Sequence, residues 1–274
     1  MVLEIKKDLI NEFKRIIEVS FEDYLHYSFL TGSVNYKYYN ELINQSDVDL
    51  MIILSDKILE SHDLIERRKK FNSLYFKLHE NYSLKPDKVF PGEIICESML
   101  EEVKFGRGFE KPSDKLFYKK MGGSDEEWLK NHSLEYKCWR SMYFFTKNSS
   151  FISGNYDKFI LDRNEVILPF IFYLLDYPNS SLPDNLSALE KRLATRIKNS
   201  SKSDFGYCKS YESNLFCQEG KIQEIPIQEI LQNSGILING SQEINKPILE
   251  EKINTFLNTL NDKKFKYEFN PFII

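Results

Sequence analysis

An uninterrupted apolar run, Leu50-Met51-Ile52-Ile53-Leu54, headed by the acidic pair Asp47-x-Asp49, constrains this chain more than any other feature. A continuous run of this length reads as a strand buried on both faces, which requires structure packed on each side of its sheet. Side chains alternate along a strand, so the spacing of two sets the carboxylates of Asp47 and Asp49 on one face. Two like charges at the head of a buried strand repel one another and resist desolvation. A hard divalent cation removes that cost, so the pair outlines a metal site.

Upstream, Phe29-Leu30-Thr31 runs into a Gly32-Ser33 turn. Glycine lets the backbone approach a phosphate closely, and the amides and hydroxyl of such a turn can donate to terminal phosphate oxygens. Mg²⁺ is held by one or two carboxylates together with substrate phosphates, and a pair of ions can clamp the attacking and leaving oxygens of an in-line displacement. Gly-Ser alone is a common turn, and Asp-x-Asp alone is a common loop or cap pattern. Their order, the 13 residues between Ser33 and Asp47, and the apolar strand directly after Asp49 make the combination specific.

Gly-Ser, a loop, then Ser46-Asp47-Val48-Asp49-Leu50 ahead of an apolar strand resembles the nucleotidyltransferase superfamily that includes DNA polymerase beta, the aminoglycoside nucleotidyltransferases and the minimal bacterial nucleotidyltransferases. The resemblance covers roughly residues 25 to 97. It implies an α/β (α+β) catalytic domain with a mixed sheet. It also implies transfer of a nucleoside monophosphate, AMP from ATP, to an acceptor hydroxyl with release of pyrophosphate and two Mg²⁺ ions as cofactors. Asp47 and Asp49 would be metal ligands and catalytic residues, and Gly32, Ser33 and Ser46 would contact the nucleotide. The chain departs from the pattern in its loop from Val34 to Gln45, which is long and holds Tyr36, Tyr38 and Tyr39 where many members have a shorter Arg/Gly-rich turn.

Such sites need a third carboxylate from a neighbouring strand. Residues Lys57 to Asn81 repeat apolar side chains at helical spacing and read as a crossover helix. The following segment, Leu84 to Cys96, contains Pro86, Pro91 and Gly92, which exclude a helix interior. If it is regularly extended, Asp87 and Glu93 share a face, and either completes the site. Glu93 is favoured, because Ile94 and Ile95 place it at the head of an apolar run, as Asp49 is placed.

Periodicity predicts an amphipathic N-terminal helix from Leu3 to Phe21 and a strand over Tyr27 to Leu30. The glycines and prolines between Phe105 and Gly123 read as a linker, so residues 1–110 are expected to form the catalytic domain and 111–274 a mainly α-helical acceptor-binding domain. Ser124 to Glu127 is a capping box opening a helix to about Phe145, and Gly123-Ser124-Asp125 is no second site because no buried strand follows it. Helices are predicted over Tyr156 to Tyr177 with a kink or break at Pro169, over Asp184 to Lys198 and over Pro247 to Leu260, while Glu219 to Asn239 is compatible with helix or strand.

Cations for the triphosphate are expected from the linker or second half, with Arg107 and Arg140 the leading candidates and Lys104, Lys119, Lys120 and Lys147 behind them. Trp139, Tyr143, Phe144 and Phe145 are possible base-stacking residues, although at helical spacing core packing is the commoner role. Phe151 to Asn155 reads as a turn reaching the cleft between the two parts.

A net charge of −4 gives no electrostatic support for general nucleic-acid binding. The resemblance to the aminoglycoside nucleotidyltransferases implies a small-molecule acceptor, with a protein hydroxyl, an RNA end, or nucleotide binding without turnover as the alternatives. Four cysteines without Cys-x-x-Cys spacing read as reduced thiols, and no signal peptide or membrane-length apolar run is present, so a cytoplasmic protein is expected. His26, His62, His79 and His132 lack mutual metal-ligand spacing.

Overall fold

The computed structural model describes residues 2–35, 48–87, 91–104, 144–145, 149–199, 217–218, 221–222 and 227–262. Helix α1 (Val2–Phe21) leads into β1 (Leu25–Thr31) and β2 (Asp49–Leu54), then α2 (Leu64–Asn81), β3 (Glu93–Cys96) and α3 (Glu97–Lys104). Strand β4 (Ser149–Gly154) precedes α4 (Tyr156–Leu175) and α5 (Leu186–Asn199). A short pair, β5 (Cys217–Gln218) and β6 (Lys221–Ile222), and helices α6 (Ile227–Asn233) and α7 (Lys246–Asp262) follow. The main sheet has the order β3-β2-β1-β4, with β1 antiparallel to both neighbours and β2 parallel to β3. The fold is therefore α+β with a four-stranded mixed sheet. A return loop makes β1 and β2 antiparallel, whereas the α2 crossover brings β3 back parallel to β2.

Strand alternation divides the core in two. Leu30, Leu50, Ile52, Leu54, Ile94 and Cys96 face α1 and α2, where Phe13, Ile17, Phe71 and Tyr75 meet them. Tyr27, Phe29, Met51, Ile53 and Ile95 face the opposite layer of α3 and α4, which continues into α5, α6 and α7. No residue from Leu50 to Leu54 exposes more than 1% of its surface, as the continuous apolar run requires. One core cluster joins the sheet to the C-terminal helices, from Tyr27 and Met51 through Phe170 and Leu189 to Leu249.

Several elements differ from the sequence expectation. The crossover helix does not begin at Lys57: Ser55 caps a 3₁₀ turn, Asp56–Glu60, and extended backbone at Ser61 separates it from α2. Helix α4 runs unbroken through Pro169, its neighbours Val166, Ile167, Phe170 and Ile171 all buried in the core. The ambiguous stretch from Glu219 to Asn239 contains both kinds of structure, β6 and α6. Linker residues 105–123 and most of the helix predicted over 124–145 lie outside the described residues.

The predicted turn at Phe151 to Asn155 is instead the end of β4, hydrogen-bonded along β1. It ends at Gly154, whose φ is +99° and where an added Cβ would lie 2.3 Å from the His26 carbonyl oxygen. That neighbour is backbone inside a sheet and cannot step aside. Gly154→Ala should cost about 2–3 kcal/mol, combining a left-handed backbone with a steric clash, and chemical denaturation measures it.

A buried charged network joins the sheet to the helices behind it. Asp162 of α4, 1% exposed, accepts from the Tyr27 hydroxyl at 2.9 Å and from Lys104 Nζ at 2.7 Å. Lys104 also meets Glu101 at 2.8 Å and Glu165 at 2.6 Å, and Lys158 approaches Asp162 at 3.4 Å. Burial and the Asp162 carboxylate push the Tyr27 phenol far above its ordinary 10.0. At Lys104, burial works against the charge, but hydrogen bonds to Asp162, Glu101 and Glu165 outweigh it and raise the ammonium above its ordinary 10.5. Both groups thus hold their proton more tightly folded than unfolded, so the stability they contribute is complete below pH about 10 and is lost as pH rises beyond it. Urea midpoints measured from pH 8 to pH 11 should fall only above pH about 10, and Tyr27→Phe should reduce that fall.

Candidate functional site

Strand direction gathers the sequence signature at one end of the sheet. β1 ends there, β2, β3 and β4 begin there, and Thr31 lies opposite both Asp49 and Ser149. Asp49 alternates with Leu50 and so shares a face with Met51 and Ile53. Glu93 is in register with Met51 across the parallel pair, and Ile95, two residues on, joins Met51 and Ile53 in the same core. Asp49 and Glu93 therefore head neighbouring parallel strands on one face. From a rise of about 3.3 Å per residue and a strand spacing of about 4.8 Å, their Cα atoms lie on the order of 8 Å apart, within reach of a shared ion for two carboxylate side chains.

Gly32 begins the connection from β1 in a left-handed conformation, φ +73°, which turns the backbone away from the strand without a Cβ penalty. It opens a 3₁₀ turn, Gly32–Asn35. Val34 anchors that turn in the α1–α2 core at 2% exposure. Asn35 Nδ2 donates to the Leu30 carbonyl at 3.2 Å, and Ser150 Oγ on β4 donates to Asn35 Oδ1 at 2.6 Å. On the other side of the strand, Thr31 Oγ1 donates to the Phe144 carbonyl at 2.9 Å.

The third-acid candidates separate. Glu93 lies in β3 and is 2% exposed. Asp87 lies before the strand, and its amide donates to the Tyr75 hydroxyl at 3.2 Å, on the α2 side of the sheet. The alternation that would place both acids on one face does not extend to Asp87, because β3 starts only at Glu93. Arg68 of α2, 3% exposed, donates to the Pro91 carbonyl at 2.9 Å. Burial pulls its guanidinium down to about 10, opposed by the negative charge of Glu93 and Asp87, so it is still a cation at neutral pH. Arg68 thus places a positive charge within electrostatic range of the buried Glu93.

Among the described residues, no three His, Cys, Asp or Glu side chains form a metal-holding group. Asp47 and Ser46 lie outside the described residues, as do Arg107, Arg140, Lys119, Lys120, Lys147, Trp139 and Tyr143. Asp49 and Glu93 offer hard oxygen donors on one face, which suits Mg²⁺.

Lys104 is not a phosphate ligand in this fold, since its ammonium is enclosed by Glu101, Asp162 and Glu165. Phe144 and Phe145 are core residues, 3% and 0% exposed, and the Phe145 ring packs edge-on to Phe29 at 5.1 Å. His26 pairs with Glu97 at 2.8 Å, and buried His79 meets the Tyr75 carbonyl, so both serve the fold. Burial pushes the Cys96 thiol up, leaving it inert. A groove of about 710 Å³ lies between α3, α4 and α7, walled by Phe172, Pro169 and Phe256 and rimmed by Glu101, Glu165 and Lys252. Gly32, Asp49 and Glu93 do not line it.

Asn35, Ser150 and Arg68 were not legible as site residues. Asn35 stands two residues past the Gly-Ser pair, but its partner Ser150 is 115 positions away. Arg68 is one of several charged residues on a helix, and nothing local sets it apart from exposed Lys69 and Lys70 beside it. No family model matches this chain, and no curated protein or solved structure matches it. Among the described residues, no helix is long and apolar enough to cross a membrane.

Proposed function

We propose that this chain is a divalent-metal-dependent nucleotidyltransferase that moves a nucleoside monophosphate, AMP from ATP, onto a hydroxyl of a small molecule. The observation that carries this reading is the convergence of the Gly32 turn, Asp49 and Glu93 at one end of a mixed sheet, with the two acids on a common face. Gly32 and Asp49 are 17 positions apart and Asp49 and Glu93 are 44 apart, and the sheet topology brings them together.

In this reading the acceptor oxygen attacks the α-phosphorus while the bond to the bridging oxygen of the β-phosphate breaks, and pyrophosphate departs with that electron pair. The hydroxyl proton passes to a nearby carboxylate or to water. Asp49 and Glu93, with Asp47, would hold Mg²⁺, which when bound neutralises phosphate charge and orients the triphosphate. The Gly32-Ser33 turn would receive the outer phosphates through its amides. Asp49 and Glu93 would fix the α-phosphate relative to the acceptor, and positioning of this kind is a large part of phosphoryl-transfer catalysis.

Pyrophosphate release from ATP, GTP, CTP and UTP with Mg²⁺, with and without hydroxyl-bearing small molecules, tests the reading. Acceptor-stimulated release from one triphosphate is expected. Nucleotide binding with no release or label transfer to any acceptor would contradict it.

A further inference from the structure

We propose that Asn35, buttressed by Ser150, is the positioning residue that holds the Gly32-Ser33 turn in a phosphate-accepting shape; this deepens the nucleotidyltransferase reading and rests on it. A turn that receives phosphate through backbone amides works only if those amides already point the right way, because reorienting them on binding consumes affinity. The connection from β1 to β2 runs from Gly32 to Val48, so the turn cannot rely on a short hairpin to fix it. It is fixed at three points instead.

Val34 sinks into the α1–α2 core at 2% exposure. The Asn35 carboxamide reaches back to the Leu30 carbonyl, closing a ring around Gly32, with its nitrogen at 3.2 Å. The oxygen of the same carboxamide accepts from Ser150 Oγ at 2.6 Å, tying the turn to β4, the strand on the other side of β1. One amide thus uses donor and acceptor together, which an ionised Asp at this position, an acceptor only, cannot reproduce. Ser150 is opposite Leu30 in the β1–β4 register, so the clamp spans one rung of the sheet. Strand β4 has a specific use here: its Ser150, one residue before the stretch that the sequence presents as a turn, supplies the hydroxyl that locks the carboxamide.

Calorimetric titration of the full chain with Mg²⁺ and the tri-, di- and monophosphates of all four nucleosides tests the proposal. Wild type should bind one triphosphate more tightly than its monophosphate. Asn35→Ala should weaken the triphosphate about tenfold and the monophosphate less than twofold, because only the outer phosphates meet the turn. Asn35→Asp keeps the Ser150 contact but sets a carboxylate beside the Leu30 carbonyl and the phosphates, and should weaken the triphosphate further. Ser150→Ala should fall between wild type and Asn35→Ala, and Ser150→Thr should restore binding. Thermal unfolding of each variant checks that the fold is retained. Equal losses across the phosphate series, or none in either Asn35 variant, would overturn the positioning role alone. A wild-type protein that does not prefer triphosphate over monophosphate would overturn the nucleotidyltransferase reading with it.

Discussion

Replacing Asp49 by Asn is expected to lower the rate of pyrophosphate release by about 10²–10³-fold while leaving the unfolding temperature within a degree or two of wild type. The asymmetry follows from position. Asp49 is half-buried at the first residue of β2, ahead of the fully buried run that holds the strand in place, so an isosteric amide loses charge without opening a cavity. Glu93→Gln should behave differently, since the negative charge of Glu93 acts on the buried Arg68 guanidinium. It should lose activity to a similar extent and also destabilise the protein by about 1–3 kcal/mol, because the buried guanidinium loses a counter-charge. Adding Arg68→Met to Glu93→Gln should recover stability without recovering activity. If the double variant recovers both, Glu93 is a counter-ion only, and the third ligand is not Glu93.

The largest effect on stability is expected at Asp162. It is the most enclosed acid of its network, 1% exposed, and it is shared between Tyr27 of β1 and Lys104 of α3. Asp162→Ala should cost about 3–5 kcal/mol, because it leaves a buried phenol without its acceptor and removes the most buried of the three carboxylates around the Lys104 ammonium. Glu101 and Glu165 still contact Lys104, which holds the loss toward the lower end of that range. Tyr27→Phe should cost only about 1–2 kcal/mol, since Asp162 keeps Lys104 and Lys158 as partners. Urea unfolding at pH 7 measures both. Equal losses for the two substitutions would mean that the Lys104 pair contributes little and the phenol dominates. Because one core cluster runs from Tyr27 to Leu249, Asp162→Ala should also shift sheet and helix signals together in a single transition.

The parts of this fold that were legible in the sequence are those whose physical cause is local. Leu50 to Leu54 is buried on both faces, and two-sided burial writes itself as a continuous apolar run. Leu9, Phe13, Ile16 and Ile17 write the buried stripe of α1 at helical spacing. Strand β4 has no such record. Ser149-Ser150-Phe151-Ile152-Ser153-Gly154 is short, rich in serine and ends in glycine, and its part from Phe151, with Asn155, reads as a turn. Its strand character comes from pairing with β1, more than a hundred residues earlier.

Lys104 shows the same limit. Its exposure and role are decided by Asp162, 58 positions on, and no local pattern announces that contact. The choice between Asp87 and Glu93 turned on where β3 begins, a boundary set by pairing with Met51 rather than by composition. For the site itself, the Gly32-Ser33 turn and the Asp47-x-Asp49 pair stood out only in combination: each alone is a common pattern, and their order and the apolar strand after Asp49 made them specific. The clamp of Asn35 by Ser150 could be seen only once β4 was placed beside β1.

The central claim, that Asp49 and Glu93 hold a divalent ion against a triphosphate resting on the Gly32 turn, is tested most directly by crystals grown with Mn²⁺ and a non-hydrolysable nucleoside triphosphate. The account predicts an anomalous peak within about 2.3 Å of carboxylate oxygens from Asp49 and Glu93, with outer phosphate oxygens at the amides of Gly32 and Ser33. A peak elsewhere, with Glu93 facing only Arg68 and the triphosphate away from the Gly32 turn, would contradict it.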